Sequence, residues 1–500
     1  SALVLHTSLV RTLVVGRPWL SAVMRVVMSV HRMSASGGFR YLLAHTASAD
    51  VPRGQLPLVD YYVESGNPAG RWLGSGLEGL GEGRGLKRGA QVTEAAMTAV
   101  FGQARDPITG QALGRAFPTR TGADGVTRPA GVAGYDLTFT AVKSVSLFWA
   151  LGDEETRAAV QAAHHAAVDQ VIDVLEARVA ATRVGRAGAT RVGVKGIVAA
   201  AFDHPDTRTG DPNLHTHVVV ANRVQAADGT WRTLDGQVLF AAGVALSETF
   251  DALLADELSR RLPVAFRWRH RGEWATPAFE LDGFPDELLK AFSMRSSSIS
   301  TQLFRATEAF VADHGRHPTR VEQIRLRQTA TLATRPAKVV LAWVDLLTSW
   351  AQRARELTGR EPRDLVGDAL SGQYARPLRL RDIGTESRRI FATYAVTQVE
   401  GRRSTWNAWN LEAEVARATK HLPMASPEDR AKLHASLVAL AREQCVAIDG
   451  HPDSLALSPD GASAAIELGD GPLLTVSVAD GPDLTSSVMP SVASTAADAP

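Results

Sequence analysis

The stretch Phe202-Asp203-His204-Pro205-Asp206-Thr207-Arg208-Thr209-Gly210-Asp211-Pro212-Asn213-Leu214-His215-Thr216-His217 constrains this chain more than any other. From His215 it runs into Val218-Val219-Val220-Ala221, a β-branched run that predicts a strand. Residues 195–203 predict a second strand, and the polar Gly- and Pro-containing segment between them predicts a loop. Side chains alternate across a strand, so His215 and His217 project from one face. Antiparallel pairing would return His204 beside them. Three neutral imidazoles would then converge on one metal ion and leave other coordination positions open, as a catalytic metal requires and a structural one does not. A polar hairpin with solvent-facing histidines has the same local pattern; the third histidine at the opposite strand end favours the metal.

Five hundred residues exceed what one core usually holds, so two or more regions are expected. The net charge of +1 hides an asymmetry: residues 451–500 contain no Lys or Arg and seven Asp or Glu, which leaves 54 cations against 46 carboxylates, or +8, in residues 1–450. A mildly basic body permits an anionic partner. Only seven of the 54 cations are Lys; Arg suits bidentate phosphate contacts, and a GC-rich genome gives the same bias. The single Cys445 excludes an internal disulfide framework and a Cys-based zinc cluster, and fits a reducing, cytoplasmic setting. No run of about 18 apolar residues is present, so no membrane segment is expected. Residues 1–27 are apolar but interrupted by Arg11, Arg17, Pro18 and Arg25, unlike a signal peptide. They are expected to be a disordered extension ahead of a natural start near Met28.

Residues 38–47 predict a short amphipathic helix carrying Tyr41, and Tyr61-Tyr62 follow twenty residues later. A tyrosine is a poor nucleophile at neutral pH unless a base or cation stabilises its phenolate. Residues 66–89 are Gly-rich and carry Arg71, Arg84, Lys87 and Arg88. Their formal GxGxxG, Gly74 to Gly79, lacks the strand and helix context of a dinucleotide site, so a flexible basic loop is the expectation. Residues 135–140 alternate as a strand, with Asp136, Thr138 and Thr140 opposite Leu137 and Phe139. A carboxylate there could orient a ligand histidine, accept a proton, or simply face solvent. Helices are expected over residues 154–180 and 247–262, and residues 286–445 read as mostly helical. Thr319 to Glu322 matches a capping box. The helix it opens carries Arg320, Arg325 and Arg327, with Arg335 and Lys338 at its far end, which suits either a solvated face or phosphate tracking. Beyond residue 447 the composition predicts a low-complexity, disordered tail. No phosphate-binding G-x-x-x-x-G-K-[ST] occurs, so no ATPase motor is expected.

Residues 134–151 (GYDLTFTAVKSVSLFWAL), the His204…His215-Thr216-His217 block, and Asp60-Tyr61-Tyr62 with Gly70-Arg71-Trp72-Leu73-Gly74-Ser75-Gly76 resemble conjugative relaxases of the TrwC/TraI (MobF) type, within the HUH endonucleases, in their actinobacterial form. The resemblance runs from about Met28 to about residue 446. It implies an α+β fold, an antiparallel sheet (the relaxase palm) flanked by helices and followed by a mostly helical C-terminal region. The implied divisions are an extension (1–27), a relaxase domain (28–345), a helical connecting region (346–446) and a tail (447–500). It implies metal-dependent nicking of one strand at a plasmid's origin of transfer, through a 5′-phosphotyrosine intermediate and later rejoining. His204, His215 and His217 would hold one Mg²⁺ or Mn²⁺ ion. Tyr41 matches the first nucleophile, Tyr61 and Tyr62 the second pair, and Asp136 the acidic neighbour. Arg71, Arg84, Lys87, Arg88, Lys143, Arg320 and Arg327 are the candidate DNA contacts. The expected partner is single-stranded or hairpin origin DNA, with other transfer proteins or a separate helicase; a monomer is the default.

Two departures accompany the resemblance. Val142 stands where the family usually has Pro before the Lys, which predicts a small change in the loop around Lys143. Tyr41 and Tyr61 are farther apart than in the best-known members, which leaves the order of attack open. Family members continue into a helicase, whereas this sequence reads as a short relaxase without one. A rolling-circle replication initiator and a three-histidine metal hydrolase that does not act on DNA are the alternatives.

Overall fold

A computed structural model describes residues 27–43, 69–122, 125–270, 277–336, 342–371, 376–403 and 405–447, with short stretches at 466–467 and 476–478. Tyr61, Tyr62, residues 1–26 and most of the expected tail lie outside the described residues. The centre of the fold is an eight-stranded antiparallel sheet. Its main strands are β1 (Met28–Ser34), β2 (Arg71–Leu73), β3 (Val132–Thr140), β4 (Thr190–Asp206) and β5 (Pro212–Ala226). Their spatial order is β1-β3-β5-β4, with β2 also paired to β4. The α+β architecture with a helical C-terminal region is as expected.

Strict alternation gives the sheet two faces with separate cores. Leu137, Phe139, Ala199, Ala201, Val218 and Val220 pack on one face against α3 (Glu154–Arg178) and α4 (Gly236–Arg261). Ala133, Val198, Ala200, Phe202, Val219 and Ala221 occupy the other, beneath Phe39, Leu42, Trp72, Leu77 and Phe101. Helix α3 starts where Asp153 accepts a hydrogen bond from the Thr156 amide, an N-cap that satisfies an otherwise unpartnered donor. Before it, α2 (Lys143–Leu151) is buried along its whole length. Its N-cap residue is Val142, which supplies no capping side chain.

The Gly-rich segment is packed, not flexible. Gly74 has φ +94°, and a Cβ there would lie 2.2 Å from the Ile197 carbonyl. The following turn, Ser75–Gly79, buries Gly76 and Leu77. Glu176 on α3 accepts from the Ser75 amide (2.7 Å), the Ser75 hydroxyl (2.9 Å) and the Ile197 amide (2.8 Å). The glycines serve close backbone approach, and a carboxylate takes the amide that a nucleotide phosphate would need.

Helix α4 is the one described helix long and apolar enough to cross a membrane, and most of its apolar stretch is buried within the protein. It starts at Gly236, eleven residues ahead of the amphipathic run read from the sequence. Two C-terminal helices, Ala408–Thr419 and Pro427–Arg442, dock on its far side. Lys420 bonds Glu248 (2.9 Å) and Asp251 (2.8 Å), and Arg430 clamps Asp256 (2.7 and 2.8 Å). The division expected at residue 345 falls inside the helix Trp343–Thr358, whose Trp343 and Trp350 join the sheet's core.

Candidate metal and tyrosine centre

The register of β4 and β5 pairs His204 with His215 and Phe202 with His217, so all three imidazoles share the second face. The ladder shifts register between His204 and Asp206, where the hairpin begins to turn. Ring centroids stand 5.3 Å apart for His204 and His215, 5.0 Å for His204 and His217, and 5.3 Å for His215 and His217. One ligand nitrogen from each lies within 4.8 Å of the others. The His215 Nδ1–H donates to the Asn213 carbonyl at 2.7 Å. The His217 Nδ1–H donates to both Asp136 oxygens, at 2.9 and 3.0 Å. Each bond puts the ring proton on Nδ1 and leaves the Nε2 lone pair for a metal. A set of three neutral nitrogens, two already oriented, fits a divalent ion.

Asp136 reaches this position because β3 pairs with β5, setting Thr138 opposite His217 and Thr140 opposite His215. On its other side His31 of β1 stands opposite Asp136. The Tyr41 hydroxyl donates to Asp136 Oδ2, and the Tyr41 and His217 rings meet edge to face with centroids 5.9 Å apart. Tyr41 belongs to α1 (Arg40–Leu43), held down by buried Phe39 and Leu42. Tyr41 is 45% exposed as a residue, yet its hydroxyl is tucked against the carboxylate. Burial of that hydroxyl, then the Asp136 charge and hydrogen bond, push the phenol well above its ordinary value. Burial alone would raise Asp136, but the His217 hydrogen bond and charge and the Tyr41 hydroxyl outweigh it and hold the carboxyl low. At neutral pH the resting pair is therefore a carboxylate and a protonated phenol.

On the first face, behind the histidines, Asp203 accepts from Thr216 Oγ1 (2.6 Å), and His165 Nε2 lies 2.8 Å from its other oxygen. The Thr216 hydroxyl also contacts His164 Nε2 at 2.9 Å. Burial, then the neighbouring His165 charge, lower His164 to about 3. This network ties the two ligand-bearing strands to α3. It was not read from the sequence; the one available signal was the polar pair Asp203 and Thr216 facing away from the histidines. Thr138, read on the Asp136 face but given no role there, lies 3.2 Å from His217 Nδ1, and the Asn213 carbonyl was missed.

The candidate DNA contacts divide. Arg71 faces α3 because alternation sends Trp72 to the other side, and its guanidinium bonds Asp169 at 2.9 Å. Arg88 pairs with Asp173 at 2.8 Å. Lys143 is buried at the start of α2 and donates to the Pro212 carbonyl at 2.6 Å. All three were candidate DNA contacts: Arg71 and Lys143 are turned inward to partners within the fold, whereas Arg88 makes a surface ion pair and keeps an exposed side chain. Arg84, Lys87 and Arg327 are exposed. Arg320 is the first residue of α6 (Arg320–Ala333), the partner helix of α5 (Met294–His314). The capping box expected at Thr319 and Glu322 is present.

A three-histidine hairpin on an antiparallel sheet, with a phenol bonded to the carboxylate that orients one histidine, defines a metal-and-tyrosine centre. A family model described as TrwC relaxase matches residues 35–357, and the chain belongs to this family. It is similar to the multifunctional conjugation protein TraI of Escherichia coli, 31% identical over 303 residues, which cover 59% of this chain and 15% of that protein. The TraI protein of Escherichia coli strain K12 matches with the same identity and coverage. The chain thus spans about 15% of the length of these relatives. Among solved structures it is similar to conjugative relaxase TrwC in complex with oriT DNA, in its copper-bound form. The TM-score is 0.50 at 27% identity, covering 67% of this chain and 99% of that one.

Proposed function

We propose that this protein is a conjugative relaxase that nicks one strand of origin-of-transfer DNA by tyrosine transesterification. One observation carries the reading: a single carboxylate, Asp136, joins the Tyr41 hydroxyl to His217 of the three-histidine centre. His204, His215 and His217 would hold one Mg²⁺ or Mn²⁺ ion. When bound, the ion supplies Lewis-acid charge that neutralises the non-bridging oxygens of the scissile phosphate. Tyr41 Oη attacks phosphorus in line, and its proton passes to Asp136. The 3′ oxygen departs and takes up a proton, leaving a 3′ hydroxyl and a 5′-phosphotyrosine. One phosphoester bond replaces another, so the nick stays resealable. With its proton retained and hydrogen-bonded to the Asp136 carboxylate, Tyr41 stays inert until a phosphate is seated, which guards against unprogrammed attack. Tyr61 or Tyr62 would serve the later strand transfer. Arg84, Lys87, Arg320 and Arg327 would contact the strand, and other transfer proteins or a separate helicase would supply unwinding.

The test mixes the protein with single-stranded oligonucleotides tiled across the cognate origin, with and without Mg²⁺ or Mn²⁺. A metal-dependent adduct that survives denaturation is expected, and it disappears in Tyr41→Phe. Hydrolysis without an adduct would replace this reading with that of a three-histidine hydrolase. An adduct formed only at a replication origin would replace it with a rolling-circle initiator.

A further inference from the structure

Three arginines from separate segments meet at the tip of the histidine hairpin. Arg208 lies in the turn between β4 and β5, closed by the Thr207 amide on the Asp211 carbonyl at 2.9 Å. Arg295 is the second residue of α5, and the Met294 amide before it donates to Asp211 Oδ2 at 2.8 Å. The Arg295 guanidinium reaches the Thr334 carbonyl (2.5 Å), the Thr334 hydroxyl (2.9 Å) and the Thr331 carbonyl (2.7 Å), which fixes it beside Arg335. Asp211, the carboxylate built into this corner, is fully buried and already paired with Arg353 at 2.9 Å. Burial, then the charges of Arg335 and Arg295, depress the Arg208 guanidinium, and burial and Arg335 do the same to Arg295. Arg295 and Arg335 are thus near enough to Arg208 for their charges to act on it. Asp206 pairs with Pro212, so the turn opens two residues past His204, about 7 Å along the strand.

We propose that Arg208, Arg295 and Arg335 form a phosphate-binding corner that grips the sugar–phosphate backbone of the bound strand next to the three-histidine centre. The proposal rests on the relaxase reading and adds contact residues that reading did not include. Clustered like charges are costly, and a polyanion laid across them relieves the repulsion and releases counterions. The corner is open: Arg335 is exposed and Arg208 half-exposed. Arg295 is anchored by carbonyls, so its charge is presented with little freedom left to lose.

The experiment measures binding of a fluorescent single-stranded oligonucleotide of mixed sequence over a series of sodium chloride concentrations. It compares the full chain with Arg208→Gln/Arg335→Gln and with Arg363→Gln/Arg389→Gln, a control on other helices. Loss of two phosphate contacts should reduce the slope of log affinity against log salt by about 1.4 and weaken binding roughly tenfold at physiological salt. The control should bind like the wild type. Arg208→Lys/Arg335→Lys keeps the charge and should keep the slope; losing it there would mark a structural effect and overturn the proposal. An unchanged slope in the Gln variant, with wild-type binding intact, refutes the corner alone. A wild type with no salt-dependent binding refutes the relaxase reading and the corner together. If inorganic phosphate at constant ionic strength erases the difference between wild type and Gln variant without displacing the strand, the corner is a free-anion site and the proposal fails.

Discussion

Replacing Asp136 with Asn tests the centre most directly, because volume is kept while one acceptor becomes a donor. In the folded chain the carboxylate accepts from His217 Nδ1 at 2.9 and 3.0 Å and from the Tyr41 hydroxyl. An Asn offers one acceptor oxygen to these two donors and turns its NH₂ toward the other. The imidazole can restore a bond by moving its proton to Nε2, the atom a metal needs. Loss of such an orienting partner typically costs 10–100-fold in metal affinity, about 1.4–2.8 kcal/mol. Without metal, exchanging charge-assisted bonds for neutral ones at this partly exposed centre should cost about 1–2 kcal/mol. Calorimetric Mn²⁺ titration of wild type and Asp136→Asn reads the first effect, and urea unfolding without metal reads the second. Thr138→Val, which removes only the 3.2 Å contact to His217, should lie between wild type and Asp136→Asn in Mn²⁺ affinity. Mn²⁺ affinity within twofold of wild type in Asp136→Asn would refute the claim that this carboxylate sets the ligand tautomer.

Tyr41→Phe should abolish the DNA adduct while costing about 1–2 kcal/mol of stability, since it keeps the ring and loses one hydrogen bond to the Asp136 carboxylate; gel analysis and thermal melting report the two separately. Gly74→Ala should destabilise by roughly 2–4 kcal/mol, from a positive φ and a backbone clash. Gly83→Ala, also at positive φ but with nothing near its Cβ, should cost only about 1 kcal/mol; equal losses in urea unfolding would contradict the packed-turn account. Buried His164, lowered to about 3, binds a proton more weakly folded than unfolded, so its stabilising contribution is present above about pH 6.5 and is lost as pH falls. Between pH 7 and 5 the wild type should lose about 2 kcal/mol more than His164→Gln; parallel pH profiles would assign the acid sensitivity elsewhere.

Much of the centre was legible because it rests on a period of two. His215 and His217 had to share a face, and the hairpin had to return His204 to it; Asp136, Thr138 and Thr140 form a second such row. The cationic candidates were read less well. A charge in a Gly-rich segment looks solvent-facing from sequence, yet Arg71 turns inward to Asp169 on α3, 98 residues away. The GxGxxG lacked a nucleotide context, but nothing local showed that its glycines admit the Ile197 backbone. Helix α4 was read short because its first half is apolar on both faces: exposed Phe240 and Val244 mask the buried stripe of Val238, Leu239, Ala242, Ala245 and Leu246.

The sequence by itself determined the strands, the shared face of the histidines and the chemistry available to them, because alternation and turn composition act over a few residues. Tertiary structure alone decided that β3 lies beside β5, which brings Asp136 to His217, and that α1 sets Tyr41 on the same carboxylate. It also decided that the hairpin turn meets the start of α5, whose Arg295 in turn caps the end of α6. Strand order and helix docking depend on which apolar faces bury each other across the whole chain, and no local spacing encodes that choice.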